Sequence, residues 1–404
     1  MNAPVPSGSR AVPAGSRGRS RVAIVLPCLL PVGGLERLVL NQAEQFLAKG
    51  VDTDFVFLHE SQDLAGTLPA GSRAFNLGVP RMRQAVGPLV RYLRAERPDA
   101  VHATMWPVTC LAVIAHRRAG VPGRLVLSDH NPLSLQYAGR GLLHRVLLRA
   151  SMVATYPLAH ARVAVSTAVA RDLARLSGLA QGRFDVIPNP VPAGSDAAVD
   201  ASWATNAWQG WQGKRIITVG RLKAQKNHAL LIRAFARLLQ RTDARLMILG
   251  VGELAEETRR NIEAAGLSGK VLMPGHVLDP MPYYRSADLF ALSSDYEGFG
   301  IVLVEALACG LPVVSTDCPG GPADILEGGK YGRLVPVGDE QALAEAMAGA
   351  LEEPPDPRKQ ERRARDFDAG VLAQRYLSLL LPDRFVDAEP AMPDRASLDL
   401  KRQR

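Results

Sequence analysis

Two carboxylates and two cations carry the chemistry that can be read first. Glu297 and Glu305 stand eight residues apart in Ser293-Ser294-Asp295-Tyr296-Glu297-Gly298-Phe299-Gly300-Ile301-Val302-Leu303-Val304-Glu305-Ala306-Leu307-Ala308-Cys309-Gly310. The apolar run Leu289 to Leu292 before them reads as a buried strand. The two glycines make a turn, and an apolar-periodic helix follows that Gly310 stops. A strand–loop–helix unit of this kind aims free N–H groups at the crevice above the strand, a place that suits a phosphate. Acidic side chains beside it suit hydroxyl groups. Phosphates plus hydroxyls describe a nucleotide, or a nucleotide carrying a sugar. Glu297 falls in the turn and Glu305 about a turn and a half into the helix. Their eight-residue spacing need not be that of an acid/base pair.

Arg221 and Lys226 lie in Gly220-Arg221-Leu222-Lys223-Ala224-Gln225-Lys226-Asn227-His228, directly after a predicted strand, Arg215 to Val219. An Arg fork and a Lys point charge can hold a diphosphate without a metal and stabilise it as it leaves. The bland alternative is two surface cations near a helix start. Cations there oppose the helix dipole, which favours an external anion. Gly33-Gly34, after the first strand, would let backbone N–H groups approach a phosphate, although a glycine pair is more often only a turn. It is not the GxGxxG pattern of a dinucleotide site. His130 ends a strand in the polar setting Ser128-Asp129-His130-Asn131 and is a candidate site residue; His102 reads as structural. Leu142 to Ala154, with Arg145 and Arg149, reads as a core helix with a solvated edge.

The elements that must position these residues alternate β and α twice. Strands are expected at Arg21–Pro27, Thr53–Leu58, Asp99–His102, Arg124–Leu127, Arg162–Val165 and Asp185–Ile187, then at Arg215–Val219, Arg245–Leu249, Val271–Met273, Leu289–Leu292, Pro312–Ser315 and Gly332–Val335. The fold class is α/β, with two doubly wound Rossmann-like domains facing across a cleft that receives the strand ends of both sheets. The expected division is a disordered leader (1–20), an N-terminal Rossmann-like domain (21–190), a linker (191–212), a C-terminal Rossmann-like domain (213–365), a C-terminal helix (366–385) and a disordered tail (386–404). Within it, the Pro- and charge-rich residues 354–365 read as a second crossing.

The chain has 404 residues, enough for two or three domains, and 47% apolar with 22% charged residues is a globular composition. Four cysteines without CxxC spacing read as reduced thiols of a cytosolic protein. No apolar run reaches the roughly 20 residues of a membrane span. The net charge is +8, and Arg81 to Arg149 holds eleven Arg against three acidic residues. Such a surplus suits nucleic acid, anionic lipid or a phosphorylated substrate, or is an ordinary solvated surface. No nucleic-acid motif or aromatic–basic platform accompanies it, so no nucleic-acid partner is expected.

At these residues the chain resembles a retaining glycosyltransferase of the GT-B fold, glycosyltransferase family 4 (group 1). The likeness runs over residues 21–382 and is strongest in Gly220 to Lys226 and in His276 to Asp339. The second span holds Ala287-Asp288-Leu289-Phe290, Glu297-Gly298-Phe299-Gly300, Glu305-Ala306, Gly310-Leu311-Pro312-Val313-Val314 and Gly332. Cys318-Pro319-Gly320-Gly321-Pro322 and Lys330-Tyr331-Gly332 look like members that build lipid-linked oligosaccharides and exopolysaccharides.

The resemblance implies a nucleotide-sugar donor, with a UDP-sugar expected, and hexosyl or N-acetylhexosaminyl transfer to a saccharide or polyprenyl-diphosphate-linked acceptor. The N-terminal domain would take the acceptor, the C-terminal domain would bind the nucleotide sugar, and the helix at 366–385 would return to the N-terminal domain. Glu305 would bind the ribose hydroxyls. Glu297, Gly298 and the Phe299 and Gly300 backbone would face the donor sugar. Arg221, Lys226 and Gly34, next to Gly33, would hold the diphosphate. His130 would contact the donor sugar near the reacting carbon, and Asn189 matches a motif before the domain crossing. No cofactor and no metal are expected, and no DxD pair sits at a strand end. A cytoplasmic enzyme is implied, peripheral on the inner face of the membrane if the basic surplus meets an anionic bilayer. Another GT-B enzyme, such as a nucleotide-sugar epimerase or a phosphorylase, and a non-catalytic carbohydrate- or membrane-binding relative are the alternatives.

Overall fold

The computed structural model describes residues 19–28, 34–59, 68–191, 203 and 206–386. The leader and tail expectations, Gly33 and most of the 191–212 linker lie outside the described residues.

Two sheets form the frame. The first is built from β1 (Arg21–Leu26), β2 (Asp52–Phe57), β3 (Arg73–Asn76), β4 (Ala100–Thr104), β5 (Arg124–Asp129), β6 (Ala161–Ala164) and β7 (Asp185–Val186), in the order 3-2-1-4-5-6-7. The second uses β8 (Lys214–Val219), β9 (Ala244–Leu249), β10 (Val271–Gly275), β11 (Leu289–Leu292), β12 (Val313–Thr316) and β13 (Arg333–Val335), in the order 10-9-8-11-12-13. The strand pairings are parallel, with Ile24 opposite Phe55 and His102 in the first sheet and Phe290 opposite Ile217 and Val313 in the second. Central strands such as Val22–Leu26 and Leu289–Leu292 are buried along their length, as strands covered on both faces must be. Each sheet reverses its winding beside its first strand, at β1/β4 and at β8/β11. A crevice opens at that point above the strand ends.

The helices of the first domain are α1 (Gly34–Ala48), α2 (Val86–Glu96), α3 (Val108–Ala119), α4 (Leu133–Gln136), α5 (Leu142–Thr155) and α6 (Thr167–Ser177). Those of the second are α7 (His228–Leu238), α8 (Ala255–Ala264), α9 (Met281–Arg285), α10 (Ile301–Ala308), α11 (Pro322–Ile325), α12 (Glu340–Glu352) and α13 (Pro357–Ala364), followed by α14 (Ala369–Leu380). Helix α14 returns to the first domain. Arg375 donates to the Val186 carbonyl (2.8 Å), Arg124 donates to the Leu379 carbonyl (3.0 Å), and the buried Tyr376 ring lies 5.0 Å from that of His102. Trp208 is fully buried and donates to Ser286 Oγ (2.9 Å), tying its segment to the second domain. No helix among the described residues is long and apolar enough to cross a membrane.

The structure corrects three expectations. Strand β3 was not foreseen: its residues are alternately half-buried and exposed, and ion pairs anchor it. Arg73 forks onto Asp54 (2.8 and 2.7 Å) and also reaches Glu96 (2.7 Å), so the apolar signal of a strand is weak. Residues 357–364, read as part of a crossing, form helix α13. Asp356 caps it by accepting from Arg358 N, and proline occupies its first turn. The face it buries is polar: Gln360 and Arg363 bond the carbonyls of Tyr331, Ile325 and Asp324. Helix α5 is the third. Only Leu148, Met152 and Thr155 are buried, and its other apolar residues face outward.

Candidate functional site

The second domain supplies most of the candidate residues from two neighbouring strand ends. After β8 the chain turns through Arg221 and a single 3-10 turn, Ala224–Lys226, into α7. Asn227 starts α7 in a left-handed conformation (φ 45°), accepts from Leu230 N and donates to Asp295 (2.7 Å). Gln225 donates to the Tyr296 carbonyl (2.7 Å), and Asp295 N donates to the Gln225 carbonyl (2.9 Å). The two loops are thus stitched together, which brings Lys226 to Glu297.

Lys226 Nζ lies 2.6 Å from Glu297 Oε1, and both side chains are nearly buried. Ser294 Oγ donates to the same carboxylate oxygen (2.6 Å). Arg221 is exposed, and among the described residues no carboxylate pairs with it. Lys223 is half-buried. Burial lowers its ammonium pKa, and neighbouring Lys226 pushes it the same way. Three cations, Arg221, Lys223 and Lys226, therefore crowd one strand end with the Glu297 and Glu253 carboxylates near them, and the excess of positive charge favours an anion.

Glu305 sits in the second turn of α10 and accepts from Tyr284 Oη (2.8 Å). Burial raises its carboxyl pKa, and that hydrogen bond opposes the rise. Gly300 precedes α10 in a left-handed conformation (φ 92°), so the loop can turn sharply and leave the first N–H groups of the helix free. The Phe299 side chain is buried against Phe367 (5.5 Å between rings), so only its backbone can face a ligand.

The first domain meets this loop edge-on. His130 follows the last residue of β5. Its Nε2 lies 3.3 Å from Ser128 Oγ, which is also 2.9 Å from His102 Nε2. Burial pushes the His130 pKa down to about 4, against a hydrogen bond with Asn189, so the ring is neutral near pH 7. A Cβ at Gly298 would lie 1.8 Å from the His130 carbonyl oxygen, so the two domains approach here as closely as backbones can. Ser166 Oγ donates to the Gly298 carbonyl (2.9 Å), and Thr167 N, at the start of α6, donates to Asp324 (2.7 Å). Arg37, in α1, donates to the Leu278 carbonyl (2.7 Å) on the far wall. Gly34 opens α1.

Lys226, Glu297, Gly298 and His130 are thus brought into one region at the domain contact, with Arg221 on its rim and Glu305 on the helix behind it. Sequence reasoning passed over Ser294, Ser166, Asp324 and Arg37. Ser294 stood in the stretch read first, but a lone serine carries no signal. The other three act through backbone groups of the opposite domain, which no local pattern announces. His102 is structural, as expected.

Comparison with known proteins follows the same division. Residues 210–367 match the family model described as glycosyl transferases group 1, and residues 32–194 match that of glycosyltransferase family 4. The chain is 40% identical over 172 residues to the Campylobacter jejuni N-acetylgalactosamine-N,N'-diacetylbacillosaminyl-diphospho-undecaprenol 4-alpha-N-acetylgalactosaminyltransferase, covering 42% of this chain and 47% of that protein. It is 36% identical over 182 residues to a putative colanic acid biosynthesis glycosyltransferase, WcaL, of Salmonella typhimurium, covering 41% and 44%. The match thus spans about half the length of these relatives. Among solved structures, Anabaena HepE in complex with UDP superposes with a TM-score of 0.72 at 21% identity, over 89% of this chain and 99% of that one. The lipopolysaccharide outer core galactosyltransferase WaaB, in its apo form, gives 0.70 at 17%, over 90% and 99%. Both likenesses concern the fold, a pair of Rossmann-like domains in the GT-B arrangement. With its two halves matched in order by the two models, the chain belongs to glycosyltransferase family 4, the group 1 glycosyl transferases.

Proposed function

We propose that the protein transfers a hexosyl or N-acetylhexosaminyl group, with retention of configuration, from a UDP-sugar to a saccharide or polyprenyl-diphosphate-linked acceptor in cell-surface polysaccharide or glycoconjugate synthesis. The observation that carries this reading is the Lys226–Glu297 pair beside Arg221 at the β8 strand end, with His130 across the domain contact. The cations hold and neutralise the diphosphate, so transfer proceeds without a metal. Glu305 reads the ribose hydroxyls, and Glu297 reads a hydroxyl of the donor sugar while fixing the Lys226 ammonium. The acceptor oxygen attacks the anomeric carbon on the face from which the diphosphate leaves. The anomeric C–O bond to the diphosphate breaks, and the acceptor proton passes to the departing diphosphate oxygen. Neutral His130, at the sugar, donates or accepts a hydrogen bond without adding charge. The relatives support the acceptor class: one is a transferase for a diphospho-undecaprenol-linked saccharide and another a putative colanic acid biosynthesis glycosyltransferase. The UDP complex of a structural neighbour supports the nucleotide. On this reading the enzyme works in the cytoplasm at the inner face of the membrane.

The test is a donor screen that records thermal stabilisation and UDP release, with lipid-extracted acceptors and with chelator present. Stabilisation by UDP and chelator-insensitive transfer with retained anomeric configuration are expected. Epimerisation or hydrolysis of the donor with no transfer to any acceptor would overturn it.

A further inference from the structure

Helix α5 is apolar on two faces. Leu148, Met152 and Thr155 turn one of them into the core, where α5 packs on α3 and α6. The opposite face carries Leu142, Leu143, Val146, Leu147 and Val153, which are 75%, 83%, 54%, 58% and 47% exposed. At 100° per residue these five fall within one arc of the helix, joined by exposed Ala150 and Ala154. Exposed large apolar residues elsewhere, such as Leu278 and Val371, are scattered singly. A contiguous apolar face of this kind on a folded chain marks an interaction surface.

Charge decides which surface. Arg145 and Arg149 are exposed along one border of the arc. From residue 130 to residue 171 the chain has no Asp or Glu, while the exposed Arg140, Arg145, Arg149 and Arg171 fall within it. A protein partner would need a groove matched to this face and carboxylates set against Arg145 and Arg149. An anionic bilayer needs only an apolar face to bury and cations to meet lipid phosphates, and arginines at the border can reach up to those phosphates while their stems stay in the apolar layer. Position agrees. Helix α5 follows β5 after only the short helix α4, on the cleft side of its domain, and His144 in its first turn touches the rings of Trp106 and Tyr137 (5.4 and 5.0 Å) beside the β4 and β5 strand ends.

We infer that the outward face of α5 is the membrane-docking surface of this protein: Leu142, Leu143, Val146 and Leu147 insert at the interface of an anionic bilayer, Arg145 and Arg149 meet its phosphates, and the acceptor side of the cleft is held at the lipid surface. The inference rests on the lipid-linked acceptor reading above. It narrows the basic surplus of Arg81–Arg149 to one helix, with insertion in addition to charge.

The test is co-sedimentation of the full chain with vesicles of phosphatidylcholine alone or mixed with phosphatidylglycerol, at low and high salt, alongside stabilisation by UDP as an independent check of the site. Wild type binds the mixed vesicles and keeps part of that binding at high salt. L143D/L147D lowers the partition about tenfold or more, with the UDP response unchanged. R145Q/R149Q lowers binding at low salt and removes its salt dependence. Wild type that ignores the vesicles but responds to UDP overturns the docking surface and leaves the transferase intact. Wild type that binds equally well with L143D/L147D, or that is a dimer which this variant turns into monomers, also overturns it, the latter by making α5 a contact between copies. Loss of the UDP response in wild type strikes the donor reading instead.

Discussion

Lys226 Nζ and Glu297 Oε1 stand 2.6 Å apart although 71 residues separate them, and their side chains are only 12% and 6% exposed. A pair so placed has two functions that separate on mutation. Removing one partner leaves a nearly buried charge alone, which costs roughly 2–4 kcal/mol. Lys226→Ala should therefore lower the urea midpoint as well as turnover, the latter by about 10²–10³-fold through the lost stabilisation of the leaving diphosphate. K226M/E297Q removes both charges. It should regain most of the stability and none of the turnover, read by UDP release. A double variant that recovers both would show that the pair is only structural.

Gly298 and the His130 carbonyl argue a second case. Gly298→Ala places a methyl 1.8 Å from that oxygen, and backbone cannot yield as a flexible side chain would. The domains must then part by an ångström or more, taking His130 and Ser166 away from the loop. Turnover should fall about 100-fold or more, while stabilisation by UDP, bound on the other domain, persists. Small-angle scattering should record a more open particle. Gly139→Ala, where an added Cβ meets nothing within 4 Å, is the control that leaves all three unchanged.

What was legible in the chain and what was not divides along physical lines. The central strands of the second sheet were visible because a strand covered on both faces is an uninterrupted apolar run, as Leu289–Leu292 is. Strand β3 and helix α13 were not. Arg73 and Arg363 hold them by hydrogen bonds to Asp54 and to the carbonyls of Ile325 and Asp324, and polar burial has no periodic signature. At the site, residue types and strand-end positions singled out Arg221, Lys226, Glu297, Glu305 and His130. Their mutual distances are another matter. The two functions given to Lys226 and Glu297, phosphate and sugar, looked separable in sequence, and only the fold makes them one hydrogen-bonded unit. Apolar periodicity likewise could not say which of α5's two apolar faces was covered.

Glu305 gives a prediction of affinity rather than rate. Its Oε2 already accepts from Tyr284 Oη at 2.8 Å, a bond that a glutamine carbonyl can keep. Glu305→Gln should then leave the fold untouched and weaken only the charged hydrogen bonds to the ribose. The expected loss is about tenfold in the Kd for UDP, or ~1.4 kcal/mol, with kcat at saturating donor within a few-fold of wild type. Calorimetric titration with UDP and with deoxy-UDP checks the assignment: the variant should discriminate the two less than wild type does.

The pH dependence of stability follows from buried histidines set against buried carboxyls. Burial lowers His102 to about 3, and His130 and His228 to about 4. In the unfolded chain all three protonate near 6.5. Between roughly pH 6.5 and 4 the unfolded state therefore binds the extra protons, so these histidines stabilise the fold near pH 7 and that contribution shrinks as pH falls. Asp129 has the opposite sign. Burial pushes it up to about 6, so below pH 6 the folded state takes its proton first and gains from acidification. Glu305 and Asp324, also raised by burial, act in the same sense. The urea midpoint should thus fall from pH 7 to 5, by less than the three histidines alone would give, because the buried carboxyls take up protons in the folded state over part of the same range. Asp129→Asn keeps one carbonyl oxygen to accept from Trp106 N, turns its amide N–H toward Tyr156 Oη as a donor where the carboxylate accepted, and removes one compensating proton. Its midpoint should keep falling below pH 6, with a slope steeper than wild type by up to ~1 kcal/mol per pH unit. Parallel wild-type and variant curves across pH 7 to 5 would mean that Asp129 does not titrate in this window.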